Sequence, residues 1–577
     1  MVTNYSYMKF KINKIFLFPI ILFILIIPTF VFLLKPGYYN MHDDMQMIRQ
    51  LEMEKCLKDG QIPCRFIQDG GMGYGYPLFN YYSPLVYSIA ELFHLTGFSL
   101  IISLKITFAL CHVIGIFGMY FFASLFWGKL GGFISAVVFL LSPYQATDSF
   151  VRGAIAELLA INIIPWVFYF LTKFINSNKN KLLLIFSLSA LLLSHNLISL
   201  AIAPVLIVYS LFLLFKNKKI NFKSILNLAI PVLYSIGLAS FFLLPAIFEK
   251  NLVTVDTMTQ GYFSYIIHFA TLNQLFISRF WGFGASLWGP IDDMAFSIGL
   301  IQWVLPLISI IFLLFRKIFK KNSSFFKGGS FDLSKQVGFV LLFFFVFLFY
   351  VFLTHNKSTF IWKLIPIMAF YQFPWRFLSI AIFAASFVAG SVILLINKKK
   401  LQIIAVILIS ITTILLNFSY FKEDIWYSNL TDSQKLSANE IIAQSGAGVK
   451  DYWPKYGQNF PTSFAPNYPS VSENTIISYY SKKSNRVTLT AFVKSEGKIS
   501  LPLVYFPNWE LYIDGQKSDF EINKDLGLIE FNLNSGQHSI LLKLRNTPIR
   551  TISNLISLIS LGLIIIIGVK SKRKNEK

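Results

Sequence analysis

The strongest constraint on this chain is its series of long apolar runs. A helix needs about 20 apolar residues to cross a bilayer core. Roughly a dozen such stretches recur along the 577 residues. They are continuous rather than alternating, so they read as helices and not as the strands of a barrel. We place twelve of them, at 15–34, 100–126, 130–146, 153–173, 181–195, 197–215, 224–246, 296–315, 336–354, 375–396, 401–419 and 551–569. This pattern predicts an α-helical polytopic membrane protein. The first run is too long for a signal peptide and has no small-residue cleavage site after it, so it reads as an anchor.

Charge then predicts orientation. With the N-terminus inside, the inside segments are 1–14, the turn at Lys129, 173–181, 216–223, 316–335, 398–400 and 570–577. These hold 25 of the 51 lysines and arginines but two of the 28 acids. The remaining 26 bases and 26 acids balance, so the whole net charge of +23 lies on one side. That is the positive-inside pattern. The basic segments read as anchors beside anionic membrane lipids, and no nucleic-acid partner is expected. The reading predicts a multi-pass protein of the cell membrane with both termini cytoplasmic.

The polar residues of interest then fall outside. The first outer loop, 35–99, opens with "PGYYNMHDDMQM" and carries His42, Asp43, Asp44 and Arg49. Asp43–Lys58 reads as a helix along the interface, ended by Gly60 and Pro63. The run "GYGYPLFNYYSPLVY", which contains Tyr76, suits the headgroup belt. Cys56 and Cys64 share this loop. An oxidising exterior would join them, and an anaerobic one would leave them reduced. Later outer segments hold Tyr144, Asp148, Arg152 and Glu157, then His195, then Glu249, Asp292 and Asp293 within 247–295. Segment 355–374 and the adjoining "QFPWRF", with Arg376, read as a re-entrant or interfacial element because Pro366 and Pro374 interrupt it. Segment 420–550 alternates apolar and polar residues in five stretches, the signature of half-buried strands. Asp514-Gly515 and Ser535-Gly536 suit hairpin turns. We expect an extracytoplasmic β-sandwich there. The organisation is thus a membrane domain over 1–419, the β-domain over 420–550, and a final span with a basic tail over 551–577.

The first loop, "FLLPAIFE" (Phe242–Glu249), "QFPWRF" and "YFPNWELYIDG" resemble the bacterial membrane family labelled 6-pyruvoyl-tetrahydropterin synthase-related. They are also similar to YfhO-like proteins within the GT-C glycosyltransferase superfamily. The resemblance covers essentially the whole chain. The pterin label is not taken as chemistry. Such a synthase would need a soluble fold and a three-histidine zinc site, whereas the seven histidines here are scattered and no HxH pair occurs.

The resemblance implies a GT-C-like bundle that passes a sugar from a polyprenyl-phosphate donor to an extracytoplasmic acceptor. It also implies a first-loop acid as base or metal ligand. Asp43 matches that position best, with Asp44 second. Attack by an acceptor hydroxyl on a sugar C1 needs a base within about 3 Å of the proton. A phosphate leaves as an anion without a strong acid, so one carboxylate suffices and inversion is favoured. Arginine forks suit phosphate oxygens. Arg376 and Arg152 are the candidate clamps, with His195 as a further donor and His42, Tyr76 and Glu249 as further binding candidates. Asp43 with Asp292 and Asp293 is the candidate set for Mg²⁺ or Mn²⁺. Each residue also has a plainer reading. Asp43 and Asp44 would cap a helix, Arg376 would snorkel to headgroups, and Asp148, Arg152 and Glu157 would form an ion-paired loop. Two other classes compete: a flippase or transporter, and a non-catalytic envelope-assembly protein.

Overall fold

All twelve apolar stretches contain helix in the computed structural model, which describes residues 17–287, 289, 292–318, 333–437, 440–441, 444, 446 and 448–575. The predicted inside segment 1–14, most of 316–335 and the last two residues lie outside the described residues. Eight helical stretches are long and apolar enough to cross a membrane, and the runs at 15–34, 181–195 and 296–315 give shorter apolar helices. One of the eight, Leu100–Leu140, leaves helical geometry at Gly128, with φ 70° and ψ 175°. A Cβ on Gly132 would fall 2.0 Å from Ser124 Oγ, so the chain doubles back there. The two separate stretches expected at 100–126 and 130–146 are thus two helices. Glycine adopts this positive φ without a Cβ clash.

The centre of the bundle is the helix Leu378–Ala389, every residue of which is buried. Its alanines and serines admit close neighbours, the usual means of packing helices where lipid supplies no hydrophobic drive. Phe383 and Phe387 meet Phe122, Phe168 and Phe343 in a continuous ring cluster. The helices Lys399–Asn417 and Pro548–Asn575 are peripheral and expose leucines and isoleucines such as Leu408, Leu415 and Leu558, as lipid-facing surfaces do.

Two short strands, β1 (Tyr38–Tyr39) and β2 (Trp426–Tyr427), pair antiparallel and join the first loop to the segment after the bundle. The sandwich follows with β3 (Ser470–Val471), β4 (Thr475–Lys482), β5 (Arg486–Val493), β6 (Gly497–Val504), β7 (Trp509–Ile513), β8 (Gln516–Ser518), β9 (Glu521–Ile522), β10 (Leu528–Leu533) and β11 (Gly536–Leu544). The sheets have orders β3-β6-β10-β9 and β4-β5-β11-β7-β8. Alternation explains the faces: Val487, Leu489, Ala491 and Val493 point inward and the residues between them do not. Asp514-Gly515 is a two-residue hairpin with positive φ at both positions and Ile513 opposite Gln516, as a primed turn requires. The Ser535-Gly536 expectation fails. That pair links β10 to β11, which lie in different sheets.

The first loop is a middle layer between bundle and sandwich. Its helix begins at Gln46, three residues later than expected, and runs to Lys58. It does not lie along an interface, because Gln46, Met47, Arg49, Gln50, Glu52, Met53 and Cys56 are all buried. Cys56 and Cys64 form a disulfide just beyond its end. The sandwich is tied to this loop through Val504 N–H to Tyr74 O (2.8 Å) and Ser484 N–H to the Asp59 carboxylate (2.8 Å).

Candidate active site

Main-chain pairing sets the position of Asp43. His42 N–H donates to Val151 O and Asp43 N–H to Arg152 O, both at 2.9 Å. Gly153 permits this approach: its φ is +64°, and a Cβ there would lie 2.0 Å from Met41 Sδ. Gln46 donates to Gly153 O at 2.8 Å and accepts from the Tyr87 hydroxyl at 2.5 Å, which locks the first loop onto this turn. Asp43 and Asp44 do not cap the helix. Its N-cap is Met45, and no side chain bonds there.

Arg152 lies in a buried cluster. Its Nη1 donates to Asp148 and, at 2.9 Å, to Glu157 Oε2, while the Tyr144 hydroxyl donates to Glu157 Oε1 at 2.7 Å. The guanidinium stacks over Trp375 at 4.5 Å. Arg376 comes from a different helix entry and places Nε 3.5 Å from Glu157 Oε2. Its Nη1 donates to Tyr371 O and Gln372 Oε1 at 3.0 and 3.1 Å, and its Nη2 has no hydrogen-bond partner among the described residues. Burial and the Glu157 charge hold the Asp148 carboxyl well above the usual carboxylate range. Two guanidiniums, those of Arg152 and Arg376, thus share the Glu157 carboxylate.

His195 caps the helix Asn196–Lys216, its Nδ1 accepting from Ile198 N–H at 3.2 Å. An accepting Nδ1 leaves the proton on Nε2, so the ring offers a donor.

These side chains line one cavity of about 1370 Å³. His42, Asp43, Tyr76, Arg152, His195 and Arg376 all border it, although they are spread over more than three hundred residues of sequence. The Asp43 carboxylate makes no hydrogen bond or ion pair with any described residue. Arg152 and Arg49 border the same cavity. The His42 Nε2 lies 2.7 Å from Phe283 O. Leu200, Ile247 and Ile367 also border the cavity and are 44%, 57% and 54% exposed, so part of its lining is apolar and accessible from outside the bundle.

Other expected residues lie elsewhere. Asp44 turns away and pairs with Lys435. The Tyr76 ring borders the cavity, but its hydroxyl donates to Gly448 O (2.9 Å) and accepts from Tyr452 N–H (2.8 Å), so it fixes backbone rather than ligand. Glu249 sits outside the cavity in a buried knot, accepting from Asn80, Thr547 and Arg550. Asp292 accepts from Gln274 and Ser278 within its own loop, both at 2.7 Å. Asp293 engages Gly284 through its backbone. Neither borders the cavity, so they do not join Asp43. Among the described residues, no group of three or more His, Cys, Asp or Glu is placed to hold a metal ion.

Two cavity residues escape the sequence reading. Arg49 is expected on an interfacial helix and instead points inward over Tyr82 at 4.2 Å. Asp451 also borders the cavity. Its only sequence signal is an acid within the glycine- and aromatic-rich "GVKDYWPKYG" (Gly448–Gly457), ahead of the first sandwich strand.

A family model described as "6-pyruvoyl-tetrahydropterin synthase related domain; membrane protein" matches residues 79–421. The chain belongs to this membrane-protein family. The matched stretch includes Arg152, Glu157, His195 and Arg376; it begins after Asp43 and ends before Asp451. An uncharacterized protein of Lactococcus lactis subsp. cremoris is 29% identical over 248 residues, which cover 41% of this chain and 40% of that relative's length. Two crystal structures of ArnT from Cupriavidus metallidurans also match. The one bound to undecaprenyl phosphate has a TM-score of 0.36 at 14% identity and covers 70% of this chain and 64% of its own. The apo structure has a TM-score of 0.35 at 12% identity and covers 75% and 77%. Likeness at this level says nothing about the chemistry of this chain.

Proposed function

We propose that the chain is a GT-C-type membrane glycosyltransferase that takes a sugar from a polyprenyl-phosphate donor and passes it to an extracytoplasmic acceptor. One observation carries this reading. An uncommitted carboxylate, Asp43, and an arginine pair that shares Glu157 border the same cavity, which exposed apolar side chains also line.

The parts have separate tasks. Arg376 and Arg152 hold the donor phosphate, with the His195 Nε2 as a third donor. Leu200, Ile247 and Ile367 let the prenyl chain leave sideways into lipid. The acceptor oxygen attacks C1 of the donor sugar while Asp43 takes its proton. The C1–O bond to phosphate breaks, and prenyl phosphate departs with that electron pair against the arginines. A single displacement inverts C1. Asp43 would also be the residue to touch a divalent ion, but Asp292 and Asp293 do not border the cavity, so no step is routed through one. In the orientation set by the positive-inside pattern, cavity and sandwich are extracytoplasmic.

The test uses the full chain in nanodiscs with undecaprenyl phosphate. Wild type binds it, and supplied as the sugar-loaded donor it is consumed. Asp43→Asn retains binding and folding and slows consumption by about 10²–10⁴, the usual contribution of a general base. Wild-type turnover in that variant would remove Asp43 from the chemistry. Failure of wild type to bind undecaprenyl phosphate would remove the donor class.

A further inference from the structure

Arg376 and Arg152 share Glu157. Asp43 and Asp451 border the same cavity as these arginines, and neither carboxylate has a partner among the described residues. If the arginines take the donor phosphate, the acceptor hydroxyl must reach C1 from the face opposite that phosphate, and its sugar must be held by other groups of the wall, of which Asp451 is an uncommitted one.

The backbone around Asp451 is held from both the first loop and the bundle. The turn Gly448–Asp451 closes with Asp451 N–H to Gly448 O at 3.0 Å, and Gly448 has φ +70°. The Tyr76 hydroxyl grips this turn from the first loop. From the bundle side, Thr254 N–H donates to Trp453 O at 2.9 Å and Thr254 Oγ1 to Lys450 O at 2.6 Å. Tyr452 stacks on Tyr81 with centroids 5.5 Å apart and planes 13° apart, and both rings border the cavity. The Asp451 carboxylate has no hydrogen-bond or ion-pair partner among the described residues. Burial pushes it up to about 6, and only the Arg49 charge opposes this. A burial cost of this kind persists where a ligand supplies the missing hydrogen bonds.

We infer that Asp451, with Tyr452 beside it in the chain, is the acceptor subsite, and that it takes a sugar ring bearing vicinal hydroxyls. A carboxylate accepts from two adjacent hydroxyls at once. The Tyr452 face not stacked on Tyr81, negative at its centre, receives the C–H groups of a pyranose. This rests on the proposed transferase reading and narrows its acceptor to a glycan. Asp451 is a binding residue and Tyr76 a positioning one.

The test applies methyl glucopyranoside to the full chain in nanodiscs and follows binding by saturation-transfer NMR, with undecaprenyl phosphate as the probe for the arginines. The expected result is saturable glycoside binding that Asp451→Asn weakens by about tenfold or more, the worth of a charged hydrogen bond. Undecaprenyl phosphate binding stays unchanged in that variant. Tyr452→Leu weakens the glycoside while leaving the carboxylate in place. The inference is overturned if wild type does not bind the glycoside. It is also overturned if Asp451→Asn binds as wild type does, or if an analogue lacking the vicinal hydroxyls binds equally well. Loss of undecaprenyl phosphate binding in wild type would instead strike the transferase reading itself, so the two failures are separable.

Discussion

Replacing Glu249 by alanine should destabilise the protein although it removes nothing from the cavity wall. Glu249 accepts from Arg550 Nε at 2.9 Å, from Thr547 Oγ1 at 2.6 Å and from Asn80 Nδ2 at 2.9 Å. Arg550 is 1% exposed and Glu249 5%. Arg65 lies beside them, pushed down to about 10 by burial and by the Arg550 charge, with Glu249 opposing. Glu249→Ala therefore strands two buried cations. Breaking a buried pair by removing one partner costs about 3–5 kcal/mol, most of it the uncompensated charge that remains. Removing Arg550 as well takes one of those charges away, so the double variant should lose less than the sum of the singles, with a coupling of about 0.5–3 kcal/mol. The assay is thermal unfolding of purified protein followed by tryptophan fluorescence. Each kcal/mol moves a domain of about 150–250 residues by roughly 2–4 °C, so Glu249→Ala should unfold several degrees early. Undecaprenyl phosphate binding at low temperature should persist, since Glu249 does not border the cavity. Unfolding together with wild type, or strictly additive singles, would refute the knot as a stabilising element.

Arg376→Gln should weaken undecaprenyl phosphate by about tenfold or more, because the variant loses the unpaired Nη2 while Glu157 keeps Arg152 and Tyr144; equal affinity in a titration would dismiss Arg376 as a clamp. Glu52 gives a pH signature. Burial and the Asp69 charge push its carboxyl up to about 8, so the folded state holds this proton more tightly than the unfolded chain. Its stabilising contribution is full below the ordinary carboxylate range and is lost as pH rises through about 8. The unfolding temperature of wild type should fall across that window more steeply than that of Glu52→Gln, and parallel curves would contradict the linkage.

Much of the fold was legible because bilayer and sandwich each impose a period. Continuous apolar runs located all twelve helical stretches, and strict alternation located β5, β6, β7, β10 and β11. What was lost was local geometry. Ser535-Gly536 has the composition of a hairpin turn, but which sheet a strand joins depends on distant partners. The helix at Gln46–Lys58 looked interfacial because it is polar, yet Arg49, Gln50 and Glu52 are buried, and the helix packs on other parts of the first loop and on the bundle helix Leu100–Leu140. The cavity residues were partly legible. Asp43, Arg152 and Arg376 stood out as charges at span ends, where charge is costly without a task. Asp44 and Glu249 stood out for the same reason, and the sequence offers nothing to separate them. Only tertiary contacts do, with Lys435 and Arg550. Asp451 was missed because it lies in an unpatterned segment.

The place of the cavity follows from the same constraint that makes the helices readable. Backbone that departs from helix leaves N–H and C=O groups without intrahelical partners, and hydrocarbon supplies none. Such backbone must gather where protein or water can satisfy it. Here it gathers at one end of the bundle. The turn at 147–153, the positive φ of Gln372, the short 3₁₀ segments 366–371 and 374–377, and the turn at 448–451 all meet around the cavity. Each is held by partners from another part of the chain, as His42 and Asp43 hold 151–152 and Tyr76 holds 448–452. The sandwich and first loop thereby cover this end of the bundle, and irregular, chemically addressable backbone can persist at the margin of a membrane.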